Sequence, residues 1–191
     1  MKWFLLGVAA ISLILFLGVN YGLMDNKGEN KIDTADQLEI EKYLGKWYAV
    51  AGITKFFNES CAWGNMAQYS LREDGRIDVL NSCYTQNGEK REVRAVAWRP
   101  DESEPGKLKV SFLPLFNYRL FAADYWVIEL GDDYEYAVVG HPTRNFGWIL
   151  NREPIMKEQK LQAILARLER AGYDPSDFKI NPQSPPQEQG Q

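Results

Sequence analysis

Gly45-Lys46-Trp47-Tyr48 and, far downstream, Trp148-Ile149-Leu150-Asn151-Arg152 are the stretches that decide the fold. The first reads as a turn glycine leading into a strand that carries a tryptophan. The second reads as a late strand ending in arginine. If the two ends meet, Arg152 can lie across the indole face of Trp47 as a cation–π cap. Such a cap closes one end of a small β-barrel and leaves the other end open to a ligand.

Between these stretches the chain breaks into short β-like runs separated by turn signals. The runs are 46–54, 62–72, 76–85, 89–99, 107–113, 118–130, 134–140 and 144–151. Glu73-Asp74-Gly75 and Asn87-Gly88 mark two of the turns. Eight antiparallel strands close a barrel wide enough to hold one small ligand. After Pro154 the period changes. Ile155, Leu161, Ile164, Leu165 and Leu168 recur at helical spacing about a helix expected over 156–171, and Gly172 suits a C-terminal cap. Residues 178–180 form a short candidate strand. The expected class is all-β: an eight-stranded antiparallel up-and-down barrel, a calyx, with one C-terminal α-helix.

At 191 residues one domain is expected. Six tryptophans, ten tyrosines and nine phenylalanines exceed the needs of a small core. The surplus fits an aromatic-lined pocket or a thick β-core, and composition leaves both open. A net charge of -4 supplies no basic face, which excludes nucleic acid as a partner. Residues 3–19 are apolar apart from Ser12 and carry no charge, the pattern of a short membrane span or a long signal core. Lys2 precedes the run, so the rest of the chain is expected on the non-cytoplasmic side. No clean small-x-small cleavage site follows, which favours an uncleaved anchor over a signal peptide. The expected organisation is 1–24 signal anchor or signal peptide, 25–38 polar tether, 39–181 barrel plus helix, and 182–191 disordered tail.

Reactive chemistry is sparse. His141 is the single histidine, in a turn-like stretch, and reads as a solvated loop residue. Residue counts give no His- or Cys-rich metal site, and there is no Gly-rich phosphate loop, so neither metal nor cofactor is expected. Cys61 and Cys83 are the only cysteines, and outside the cytoplasm they should oxidise if they can meet. Simple hairpin register about Asp74-Gly75 places Cys83 opposite Asn65. A bulge near Trp63-Gly64 is therefore required to join the sulfurs.

Taken in order, Tyr43-Leu44-Gly45-Lys46-Trp47-Tyr48, Tyr69-Ser70-Leu71-Arg72-Glu73-Asp74-Gly75, Leu108-Lys109-Val110-Ser111-Phe112, Tyr125-Trp126-Val127-Ile128 and Trp148-Ile149-Leu150-Asn151-Arg152-Glu153-Pro154 resemble a lipocalin. The likeness spans about 38–181 and is greatest to bacterial lipocalins and apolipoprotein D-like members. The resemblance implies a calyx with a C-terminal helix that binds lipids or other apolar molecules. It makes Trp47 the plug of the closed end and Arg152 its cover, and puts Tyr134 at the aromatic position of the family's second motif. Bacterial members usually carry a lipid-modified cysteine after the signal peptide. No cysteine precedes Cys61, so a protein-segment anchor takes its place.

The implied function is binding, storage or transport of a fatty acid or lysophospholipid-like ligand at the cell envelope. The alternative is a lipocalin-type enzyme on a lipid or isoprenoid substrate, with Cys61 as nucleophile. Alternation nominates Tyr69, Trp98, Phe112, Tyr125, Val127 and Tyr136 as pocket residues, with Ala67, Val110 and Val138 beside them. Arg94 and Arg119 are candidates to meet a carboxylate. With Trp47 at the closed rim, the loops after the first, third, fifth and seventh strands surround the mouth. Phe56, Phe57, Leu115 and Phe116 lie in two of them, as a membrane-facing rim or a folded-in plug. A lipid, the membrane through the N-terminal segment and a homodimer stand as candidate partners.

Overall fold

The computed structural model describes residues 32–53, 60–112 and 122–185. The N-terminal anchor, the rim positions Phe56, Phe57, Leu115 and Phe116, and Arg119 lie outside the described residues.

Nine strands follow in chain order: β1 (Gly45–Ile53), β2 (Trp63–Leu71), β3 (Ile77–Tyr84), β4 (Lys90–Trp98), β5 (Lys107–Ser111), β6 (Ala123–Leu130), β7 (Tyr136–Gly140), β8 (Gly147–Asn151) and β9 (Phe178–Ile180). A one-turn helix α1 (Ile40–Tyr43) precedes them, and α2 (Glu158–Arg170) lies between β8 and β9. From β2 to β8 each strand pairs antiparallel with the next, and β1 pairs with both β8 and β2, so the sheet closes into a barrel. The β2–β3 turn is held by the Asp74 carboxylate, which accepts from Arg72 and Arg76, while Gly75 takes the left-handed φ of +77°.

Three expected boundaries move, each for a backbone reason. β7 starts at Tyr136, not 134, because Asp133 and Tyr134 adopt φ of 53° and 59° in a 3-10 turn. β8 starts at Gly147, since Arg144 also turns with positive φ, 59°. α2 starts at Glu158 because Lys157 is still extended. Gly172, with φ of +87°, ends the helix, and the Tyr173 N–H bonds back to the Leu168 carbonyl.

The barrel has a seam. Along one edge β1 pairs with β2 only from Gly45 to Tyr48. Farther on, Ala51 to Ile53 pair with β9 instead. The stretch after β9 completes the join. Asn181 N–H donates to the Val50 carbonyl at 2.9 Å, and the Asn181 and Gln183 side-chain amides both donate to the Ala49 carbonyl at 3.0 Å. Gly64 N–H, on β2, donates to the Pro182 carbonyl at 2.8 Å. The first residues of the expected disordered tail are thus bound into the barrel wall. Likewise Ile32 and Leu38, expected in a polar tether, are buried.

Two apolar cores result. The inner one fills the barrel around Trp47, Tyr69, Val79, Leu108, Val127 and Leu150. The outer one lies beneath α2, where Leu161, Ile164 and Leu168 pack on Val50, Tyr136, Val138 and Ile149. An ionic latch joins helix to barrel: Arg167 Nε donates to both Glu129 oxygens at 3.0 and 2.9 Å, and Lys160 pairs with Glu135 at 2.7 Å.

Candidate functional site

One end of the barrel is closed by carbonyls that converge on a single guanidinium. Arg152 Nη2 donates to the Lys42 carbonyl at 2.6 Å. Its Nη1 donates to the carbonyls of Leu44 and Lys46 at 2.9 and 2.8 Å, and its Nε donates to that of Tyr134 at 3.3 Å. The guanidinium carbon lies 3.6 Å from the centroid of the Trp47 ring. Trp47 is fully buried, and its Nε1 donates to the Tyr43 carbonyl at 2.8 Å. Gly45 makes the approach possible: its φ is +92°, and a Cβ there would sit 3.4 Å from Arg152 Nη1. Tyr134, turned by its positive φ, takes the Glu39 N–H on its hydroxyl at 2.9 Å. These contacts pin α1 across the floor.

Directly above Trp47 three tyrosines share their hydroxyls. Tyr43 comes from α1, Tyr69 from β2 and Tyr125 from β6. The Tyr43 and Tyr125 oxygens are 2.7 Å apart, and those of Tyr69 and Tyr125 are 2.8 Å apart. Burial pushes the Tyr69 hydroxyl up to about 12 and those of Tyr43 and Tyr125 well above the ordinary tyrosine value. All three are therefore neutral donors at physiological pH.

Strand pairing shows which residues look inward. Tyr69, Val79, Ala95, Ala97, Leu108, Val110, Tyr125 and Val127 form one continuous inner face. Along several strands the inward positions lose cover with distance from Trp47. On β4, Ala97 and Ala95 are buried, whereas Val93, next on the same face, is 51% exposed. On β5, Leu108 and Val110 are buried, whereas Phe112, which continues their alternation just past the strand, is 47% exposed. β6 repeats the trend from buried Val127 through half-buried Tyr125 to exposed Ala123. Among the described residues the inner face is packed at the Trp47 end and loses cover toward the other.

Among the nominated pocket residues, Tyr69, Tyr125 and Val127 are brought together inside. Phe112 keeps the inward alternation but stands at the mouth. Trp98 and Tyr136 are corrected. Trp98 pairs with Lys109 on the outer face, because Ala97 and Val110 are the inward pair beside it. Tyr136, with Val138, points outward beneath α2. Arg94 likewise falls on the outer face, alternate to Ala95, and is exposed. Val79, Ala95, Ala97 and Leu108 line the inner face without having been nominated, as do two aromatics. Tyr43 sits in a helix too short to read from periodicity. Trp148 packs on the inner core and stacks with Phe146 at 6.5 Å between centroids.

At the mouth, Cys61 and Cys83 are joined by a disulfide, with Cα atoms 5.6 Å apart. The required bulge is present. Trp63 pairs with Tyr84 and Met66 with Ser82, so Gly64 and Asn65 together stand against Cys83 alone. Gly64 permits this with φ of +68°, and a Cβ there would come within 2.9 Å of the Tyr84 ring. That ring stacks on Trp63 at 4.0 Å. Bonded, Cys61 has no thiolate to act as a nucleophile. His141 is half-buried, not fully solvated: its Nδ1 lies 2.9 Å from Thr143 Oγ1, its ring meets Phe146 edge-on, and burial lowers its pKa.

Comparison with known proteins agrees with this geometry. The family model for lipocalin-like domains matches residues 38–183. Temperature-induced lipocalin-1 of Arabidopsis thaliana is 32% identical over 159 residues, covering 82% of this chain and 85% of the plant protein. Apolipoprotein D of Mus musculus is 32% identical, covering 86% of this chain and 91% of its own. The outer membrane lipoprotein Blc of Vibrio cholerae is 33% identical, covering 75% of this chain and 81% of its own. Among solved structures, insecticyanin from the tobacco hornworm Manduca sexta superposes with a TM-score of 0.63 at 20% identity, over 81% of this chain and 85% of that one. The cockroach allergen Per a 4 does so with 0.61 at 19% identity, over 81% and 94%. At that identity these structures speak to the fold alone.

Proposed function

The chain belongs to the lipocalin family, and on that premise we propose that it binds, stores or carries an apolar ligand of the fatty-acid or lysophospholipid class at the cell envelope. The observation that carries this reading is the loss of cover along the inner face, from buried Ala95 and Val110 to exposed Val93 and Phe112. Exposed apolar surface inside a barrel gains by covering itself with an apolar guest, at roughly 25 cal/mol per Å² removed from water. The floor of Trp47 and Arg152 stops passage through the barrel, so entry and exit share the one mouth.

An envelope location is supported by the name of the Vibrio cholerae relative, an outer membrane lipoprotein, and by the disulfide, which persists in oxidising compartments. Residues 1–24 would supply the tether. Catalysis on a lipid is the weaker reading, since the nucleophile it would use is locked in the disulfide.

Native mass spectrometry of the purified full chain tests the proposal. Lipid-sized adducts, or uptake of added fatty acid, are expected. A chain that carries no adduct and takes up no added fatty acid or lysophospholipid refutes it.

A further inference from the structure

The tyrosine cluster has one more proton than its bonds consume. Three hydroxyls bring three O–H donors, and the Tyr43–Tyr125–Tyr69 chain contains two hydrogen bonds. Tyr125 is the shared member of both. If Tyr43 and Tyr69 each donate to it, its oxygen has accepted twice and its own proton is unused. Access singles out the same residue. Tyr43 and Tyr69 are 1% and 5% exposed, whereas Tyr125 is half-buried on the strand whose inward positions open toward the mouth.

Resting on the open-calyx reading above, we propose that Tyr125 is a polar anchor at the barrel floor, which selects apolar ligands carrying an uncharged hydrogen-bond acceptor (a ketone, ester or hydroxyl oxygen) at the end that enters first. A wholly apolar guest that displaces solvent from the floor strands the Tyr125 proton without a partner, and a stranded buried donor costs more than a made hydrogen bond gains. An acceptor at the leading end removes that cost. An ionised carboxylate is disfavoured at this depth. The cluster offers it one neutral donor, while the Arg152 guanidinium lies across Trp47 and is already committed to four carbonyls. A fatty acid therefore fits only with its carboxylate toward the mouth. The matched ligand is a neutral oxygenated lipid.

The test compares two molecules of one shape, 2-undecanone and 2-methyl-1-undecene, in which the carbonyl oxygen is replaced by a methylene. Each displaces the fluorescent probe N-phenyl-1-naphthylamine from the full chain. The ketone is expected to bind about tenfold more tightly than the alkene, the factor that one stranded donor represents. In Tyr125→Phe, checked for fold by circular dichroism, that preference should vanish, with the alkene gaining affinity because the Tyr125 donor is no longer there to be stranded. Equal affinities in the unaltered protein overturn the anchor and leave the calyx standing, a result that needs no variant to fold. A preference that survives in folded Tyr125→Phe overturns it too. If neither molecule displaces the probe, the calyx reading itself falls.

Discussion

Replacing Arg152 by alanine should unfold the closed end before it alters what the barrel holds. The guanidinium donates to four backbone carbonyls and covers the Trp47 ring at 3.6 Å. Two of these acceptors, on Lys42 and Lys46, lie in exposed surroundings and can turn to water, so their loss costs little. Those of Leu44 and Tyr134 are partly buried, and each is worth about 1–2 kcal/mol when its charged donor is removed. The cation–π contact adds about 1 kcal/mol. The total is about 3–5 kcal/mol, a large share of the ~5–15 kcal/mol that holds a domain together. With a urea m-value of about 2 kcal/mol/M, the midpoint should fall by about 1.5–2.5 M in equilibrium unfolding followed by tryptophan fluorescence. Arg152→Lys should recover less than half of the loss, because an ammonium cannot span the same fork of carbonyls. A midpoint for Arg152→Ala within about 0.3 M of the unaltered protein, equivalent to less than about 1 kcal/mol at that m-value, would show that the floor does not depend on this residue.

Other expectations follow from the same structure. Reducing the Cys61–Cys83 bond, which spans a sequence separation of 22, should cost about 3 kcal/mol through the freed loop, read as a lower melting temperature in dithiothreitol; an unchanged melt contradicts it. Gly64→Ala should destabilise by about 2 kcal/mol, since it forces a side chain to positive φ and against the Tyr84 ring, and a neutral effect in urea titration would count against the bulge. The buried tyrosines set an alkaline limit. Burial holds the folded Tyr69 pKa at about 12 and those of Tyr43 and Tyr125 well above the unfolded value of about 10, so the stability they contribute is intact below pH 10 and is lost as pH rises through the folded values. Tyrosinate absorbance should rise for this cluster only together with unfolding, and a smooth titration near pH 10 with the fold intact argues against the buried cluster. Removing 178–191 should speed hydrogen exchange at the Gly52 and Gly64 amides, and undiminished protection there would deny β9 its place in the seam.

The barrel was legible because its signals are redundant. Turn glycines, alternation and the Trp47–Arg152 pair all name one architecture. The cysteine argument reached further than pattern, since the register mismatch at Asn65 demanded the bulge that Gly64 supplies. Inner and outer faces were harder to tell apart. On β7 all five residues are buried, because α2 covers the outside as the barrel covers the inside. No polar residue there marks either face, so Tyr136 and Val138 could be assigned to the pocket. On β4 the marker existed: Arg94, outward, shares its face with Trp98, but a tryptophan is a more inviting lining residue than Ala95 or Ala97. The tyrosine cluster was hidden for another reason. Its members come from α1, β2 and β6, and only the closure of the barrel brings them within bonding distance.

The seam sets an order on the birth of the fold. β1 is the first of the described strands, yet one of its edges is satisfied by β8 and the far half of the other by β9, the last two, with β2 taking only the near half. A nascent chain stalled anywhere before Ile180 has meander hairpins but an unfinished wall. Closing it requires contacts between distant parts of the chain, which form slowly. The wall can therefore lock only after β9 has been made.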